Sequence, residues 1–338
     1  MNNKEMEQIQ ALQKEITFSG AFSARGNHKQ GSGSSGFANQ SEKLENQVST
    51  RFNMASGSQV FTAVAVCHLI EEGKLEFDTL LKDCLDITFP YFDEDITVKH
   101  LLLHTSGIPD YFEEETVRAY EDMWIQKPMY RMRKASDYLP LFQQKNMVSP
   151  VEAMFHANHA GYILLGLIIE QVSGMECSDY ISQHVLQKAG MKDTGYFKLD
   201  ELPERTAAGY IETKEGGFKT NQYSIPIKGG PDRGAYTTAS DMVLFWEMLM
   251  GYKLLSEEMT TAFLEPRVSL SEYISYGYVG YIERKETEVV KYILMGYDPG
   301  TNFRSFYRLD QSLAVAVCSN KEEGAHEMIK KIEEVCIK

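Results

Sequence analysis

Cysteine is scarce in this chain and poorly placed for cross-linking. The five residues (Cys67, Cys84, Cys177, Cys318 and Cys336) are odd in number, scattered, and include no C-x-x-C pair. That spacing argues against a disulfide framework or a zinc knuckle and for reduced thiols in a cytosol. Long apolar runs are also missing: no stretch approaches the roughly 18 residues that suggest a membrane span. The opening MNNKEMEQIQALQKE is polar throughout, with no apolar segment of signal-peptide type. A cytoplasmic protein with no membrane partner is therefore expected. Positive charge is in the minority, with 34 Lys and Arg against 48 Asp and Glu and a net charge of −14. No Lys/Arg-rich face is evident, so no nucleic-acid partner is expected. An acidic surface keeps copies apart, and a monomer or weak homo-oligomer is the expectation.

What is present is enough apolar material for a large core. The chain has 338 residues, 43% of them hydrophobic, consistent with one large unit over 1–338 or two intimately packed lobes. Residues 3–14 read as an amphipathic helix and ITFSGAFSA (16–24) as a strand. GSGSSGFAN (31–39) reads as a turn or weak strand, and GSGSSG as a flexible connector in preference to a phosphate cradle, since it lacks the lysine and the strand-to-helix context of a phosphate loop. From Gln59 to Glu72, Phe61, Val64, Ala65 and Leu69 recur at helical spacing, and Gly73 supplies the stop. His68 shares that stripe and reads as a packed residue.

Further on, TVKHLLLHTSGIPDYF (97–112) reads as a helix closing into a turn, AGYILLGLIIEQVSG (160–174) as an apolar helix ending at Gly174, and TTASDMVLFWEMLMG (237–251) as a helix with an N-cap signature. Past about residue 266 the period changes. YGYVGYIERK, EVVKYILMG, FRSFYRLD and SLAVAVCSN are strand-like, and a charged amphipathic helix (322–335) closes the chain. The expected fold class is α/β (α+β): an antiparallel sheet lobe from about 1–50 and 266–338, flanked by the terminal helices, and a helical lobe from about 51–265.

These segments, in this order, resemble the serine β-lactamase/penicillin-binding-protein superfamily, in its branch of class C-like β-lactamases, D-alanyl-D-alanine peptidases and esterases. FNMASGSQVFTAVAVCHLIEEGKL is similar to the nucleophile helix, and FHANHAGYILLGLIIEQVSGM to the second-motif loop and helix. MGYDPGTNFRSFY is similar to the third-motif strand turn. The resemblance implies acyl transfer. A serine attacks a carbonyl, assisted by a lysine one helical turn later, a tyrosine and asparagine in Y-x-N, and a strand cation or imidazole followed by glycine. It implies no cofactor.

Laid onto that pattern, Ser56 takes the nucleophile position, but the lysine position holds Gln59. The tyrosine position holds Ala157 and the asparagine position His159, with Asn158 between them. The strand cation position holds Leu294 (Ile293 under a one-residue shift), and Gly296 keeps the glycine. Gln59 is no base, so the inherited proton path is gone. The resemblance further implies an oxyanion hole from the backbone N–H groups of Ser56 and Tyr297.

Two readings follow. One is a serine acyl-hydrolase acting on activated esters or amides through a Ser56–His159 dyad, with Gln59 and Asn158 in support and Asp110 or Asp298 as candidate neighbours. Natural divergence and redesign would leave the same pattern. The other is an inactive member whose pocket binds a small neutral ligand. A metal site from His68, His156 and His159 lacks carboxylate or thiolate ligands at suitable spacing, so no metal is expected.

Overall fold

The computed structural model describes residues 1–112, 120–125 and 127–337. The polar opening becomes helix α1 (Asn3–Glu15) because Asn2 and Glu5 cap it reciprocally: each side chain accepts the other residue's backbone N–H. Strands β1 (Gly20–Arg25) and β2 (Gln30–Ser35) follow. The glycine/serine stretch is thus a paired strand, one of the two forms expected of it. Its reason is steric: a Cβ on Gly33 would meet the Phe22 ring at 2.7 Å, so glycine lets β2 lie against β1.

Helices α2 (Gln59–Glu71), α3 (His159–Ser173) and α4 (Ala239–Met250) form the helical lobe. The sequence suggests one apolar stripe on α2, yet Val60 through Cys67 and Leu69 are all buried. A helix apolar on every side is one packed on every side. Gly73 and Gly174 end α2 and α3 with φ of 68° and 70°, the left-handed conformation glycine adopts without strain.

The C-terminal part supplies β3 (Val268–Ser269), β4 (Ile274–Gly277), β5 (Gly280–Lys285), β6 (Glu288–Asp298), β7 (Thr301–Arg308) and β8 (Leu313–Ser319), then helix α5 (Ala325–Ile337). The eight strands form one antiparallel sheet in the order β2-β1-β8-β7-β6-β5-β4-β3. The chain's two ends therefore meet in the sheet one strand in from the β2 edge, with Gly20 opposite Ser319. Every residue of β8 is buried because the sheet is covered on both faces. The helical lobe lies on one side, and α1 and α5 form a smaller core with Phe22, Phe306 and Val317 on the other. Trp246 on α4 donates its indole N–H to Ser305 Oγ on β7 at 2.8 Å, tying lobe to sheet.

Two features frame a cavity where lobe and sheet meet. The β5 register on β6 ends at Tyr281 opposite Ile293, whereas β6 runs on to Asp298, paired there with β7. Two-residue strands, Phe52–Asn53 and Tyr236–Thr237, pair just ahead of Ser56. Among the described residues no helix is long and apolar enough to cross a membrane, and all five cysteines are buried with free thiols.

The structure corrects one reading of charge. Lys127, Arg131, Arg133, Lys134, Lys198 and Lys228 line a second depression of about 740 Å³, with Asp137 and Glu176 set among them. Four of these cations stand within KPMYRMRK (127–134), and the fold adds Lys198 and Lys228 from elsewhere in the chain.

Candidate active site

Ser56 sits in a short 3₁₀ turn, Ala55–Ser58, that runs directly into α2. Backbone and side-chain bonds fix this turn. Met54 N–H donates to Ala235 O at 3.0 Å and Gly234 N–H to Ala55 O at 3.1 Å, while Asn53 Oδ1 accepts the Ala55 N–H at 2.8 Å. Ala55 is thereby held at φ 46°, a left-handed conformation that costs a non-glycine residue about 1–3 kcal/mol. Strain immediately before the candidate nucleophile aims Ser56, half-buried, into a cavity of about 230 Å³.

Gly296 closes the turn from the sheet side. A Cβ there would stand 2.1 Å from Met54 O and 2.7 Å from Gly57 N, so only glycine lets β6 approach the serine turn. Leu294 lines the same cavity and is buried, placing hydrocarbon where the resemblance implies a cation. Tyr297 lines it too, but its ring is largely exposed and its hydroxyl donates to Glu322 Oε1 at 3.3 Å. Any role for Tyr297 in the reaction belongs to its backbone N–H.

The second motif opens α3. Asn158 is its N-cap: Oδ1 accepts the Gly161 N–H at 2.7 Å and Nδ2 donates to Ile108 O at 2.9 Å. Both polar ends of that buried amide are engaged. Asn158 therefore positions the helix, although it was expected to support Ser56. Ala157 is exposed at the cavity wall, and Gln59 is half-buried there, one turn beyond Ser56.

His159 is the first residue of α3, and its neighbour is Asp110. Asp110 Oδ2 accepts the His159 backbone N–H at 2.7 Å and stands 3.3 Å from His159 Nδ1. Oδ1 accepts the N–H groups of Tyr111 (2.7 Å), Ala160 (3.1 Å) and Phe112 (3.3 Å). A carboxylate can only accept, so the imidazole proton belongs on Nδ1 and the Nε2 lone pair is left available. Burial opposes the charge on Asp110, only 2% exposed, but the imidazole and the backbone N–H groups prevail. They hold its carboxyl below the usual carboxylate range. Of the two candidate neighbours it is Asp110 that meets His159.

Asp298 serves a different partner. Arg233, 4% exposed, donates Nη1 to Asp298 Oδ1 at 2.7 Å and places Nε 3.3 Å from Asp232 Oδ2, which also accepts the Tyr111 hydroxyl. Burial raises the carboxyl pKa of both Asp232 and Asp298, against the pull of Arg233. With one guanidinium for two buried carboxylates, this cluster stiffens the Asp110–Phe112 loop through Tyr111. Nothing in the sequence marks Arg233 and Asp232 as partners of that loop, since they arrive from a turn more than a hundred residues away.

His104 lies under the cavity floor against Phe155, Tyr162 and Tyr276, its rings 5.1–5.7 Å from theirs. Its Nδ1 accepts the Asn158 N–H at 3.1 Å. Burial pushes its pKa down to about 3, with the nearby His159 adding to the effect, so it is a neutral structural imidazole. His68 bonds Tyr180 at 2.8 Å and faces His184 instead of His156 or His159. Among the described residues no three His, Cys, Asp or Glu side chains converge as a metal site.

Known proteins share this arrangement of strand, turn and helices. A penicillin-binding protein of Bacillus halodurans superposes with a TM-score of 0.93 at 44% identity, over 97% of this chain and 99% of that one. Penicillin-binding protein 4* of Bacillus subtilis is 28% identical over 301 residues, covering 85% of this chain but 64% of its own length. The fold extends to a D-amino acid amidase of Ochrobactrum anthropi, at a TM-score of 0.81 and 20% identity over 98% of each chain. The Beta-lactamase family model matches residues 11–335, and the chain belongs to that family.

Proposed function

We propose that the protein is a serine acyl-hydrolase that cleaves activated esters or amides, with Ser56 as nucleophile, His159 as general base and Asp110 as its orienting carboxylate. The observation that carries this reading is the Asp110–His159 contact at the N-terminus of α3, in the wall of the cavity that also contains Ser56. In the reaction His159 Nε2 accepts the Ser56 hydroxyl proton as Oγ attacks the carbonyl carbon. The tetrahedral oxyanion takes hydrogen bonds from the backbone N–H groups of Ser56 and Tyr297. Collapse breaks the bond to the leaving group, which leaves with the proton from the imidazolium. Water, deprotonated by the same imidazole, then releases the acid and regenerates Ser56. Asp110 stabilises the transient imidazolium without taking its proton.

Fluorophosphonate labelling tests this reading. A labelled band in the parent, absent in Ser56→Ala and weakened in His159→Ala, is the expected result. No labelling of Ser56, together with thermal stabilisation by a small ligand, would instead support an inactive ligand-binding member, as the neutral Gln59, Ala157 and Leu294 suggest.

A further inference from the structure

Arg304 is a charge for which the reaction above has no use. It lies on β7 directly opposite Met295 and lines the Ser56 cavity. Its Nε is buried without a hydrogen-bond partner, and its Nη1 rests 3.2 Å from the Met295 thioether sulfur, a weak acceptor. Among the described residues no carboxylate stands within ion-pair distance; Glu327 on α5 acts on it only from farther away. A guanidinium keeps its charge in a protein, and an unpaired, partly desolvated charge is costly unless something satisfies it.

We infer that Arg304 is an anion anchor and that the ligand or substrate of this cavity carries a carboxylate. A planar guanidinium matches a carboxylate fork. Arg233 also lines the cavity but is held by Asp298 and Asp232; the single unpaired cation, in a chain of net charge −14, suits a monoanion better than a phosphate dianion. The remaining wall, with Tyr276, Tyr278, Val279 and Leu294, suits an apolar or aromatic body attached to that carboxylate. The ligand expected from the motif substitutions alone was neutral. The inference shares the cavity of the proposed hydrolase but not its chemistry.

The test is calorimetric titration of the Ser56→Ala protein with 4-phenylbutyrate and with its neutral amide, 4-phenylbutyramide. The acid should bind at least about tenfold more tightly, the scale of one charge-assisted hydrogen bond. Arg304→Met should erase that preference and Arg304→Lys retain part of it. The unliganded Arg304→Met protein should melt no lower than the parent, because it sheds an unsatisfied charge. Equal affinity for acid and amide, binding of neither, a preference that survives Arg304→Met, or a lower melting point in that variant would each overturn the inference. No turnover is involved, so this outcome and the labelling of Ser56 stand or fall separately.

Discussion

Replacing Asp110 by asparagine changes one atom and two functions. The parent carboxylate accepts four backbone N–H groups and faces His159 Nδ1. The asparagine amide keeps one oxygen. If that oxygen stays with Tyr111, Phe112 and Ala160, the NH₂ group points at His159, donor against donor. The His159 backbone N–H cannot invert and is left unsatisfied, costing about 1–3 kcal/mol. The imidazole can adapt, but only by accepting at Nδ1 and moving its proton to Nε2, and it then has no lone pair to offer Ser56. In hydrolases with the Ser-His-Asp arrangement that tautomer penalty is roughly 10⁴-fold in kcat.

Asp110→Asn should therefore lower kcat on p-nitrophenyl butyrate by roughly 10³–10⁴-fold, with little change in KM, while a urea titration shows the smaller loss in stability. The split between the two measurements is the test, because a merely structural Asp110 would lose activity only as the protein unfolds. A folded Asp110→Asn protein that keeps most of the parental kcat would refute the orienting role, and with it the protonation assigned to His159.

Four further outcomes follow from the same geometry. Ser56→Ala and His159→Ala should each remove most of the ester hydrolysis, and the double variant should be scarcely slower than either, as for residues acting as one unit; additive losses would separate them. Gly296→Ala should destabilise by about 1–3 kcal/mol as β6 is forced off the serine turn, and an unchanged melting temperature would contradict that contact. Introducing Gln59→Lys, Ala157→Tyr and His159→Asn together should raise hydrolysis, whereas Gln59→Lys or Ala157→Tyr alone should do little and His159→Asn alone should lose the rate as His159→Ala does; a folded, inert triple variant would show the motif positions to be misaligned. His104, with a folded pKa of about 3, stays neutral where the unfolded chain takes up a proton. Its contribution to stability is full above about pH 6.5 and falls away as the pH drops toward 3, by about 2 kcal/mol at pH 5. Unfolding curves of parent and His104→Gln should therefore converge in acid, and a constant gap would refute it.

The fold was legible in the sequence because its signals are local and repeated. Helical spacing over 59–72, glycine stops at Gly73 and Gly174, the cap at Thr238, and the switch to short β runs near residue 266 each act within a few residues. Ser56, His159, Leu294 and Gly296 could be placed on one cavity for the same reason, since each is tied to a recognisable segment. Other features depend on pairing across the chain, and there the sequence is silent. The Asp110–His159 contact spans 49 residues and was available only as one of two candidate carboxylates; the other, Asp298, is taken by Arg233 across 65. Asn158 stands between two candidate catalytic positions, so motif reasoning gave it a chemical role. Its side chain is in fact used up by the helix end it caps. Arg304 carried no signal, because what marks it is the lack of a partner, and a missing contact has no sequence pattern. The unpaired guanidinium also bears on the neutral side chains Gln59, Ala157 and Leu294 in the same cavity wall. Those three side chains carry no charge, and Arg233, which also lines the cavity, is held by Asp298 and Asp232. Arg304 keeps a positive charge in its wall. With hydrocarbon at Leu294 and an unsatisfied guanidinium at Arg304, the cavity offers its unpaired charge from β7, and on the inference above only an occupant that meets Arg304 makes that placement favourable.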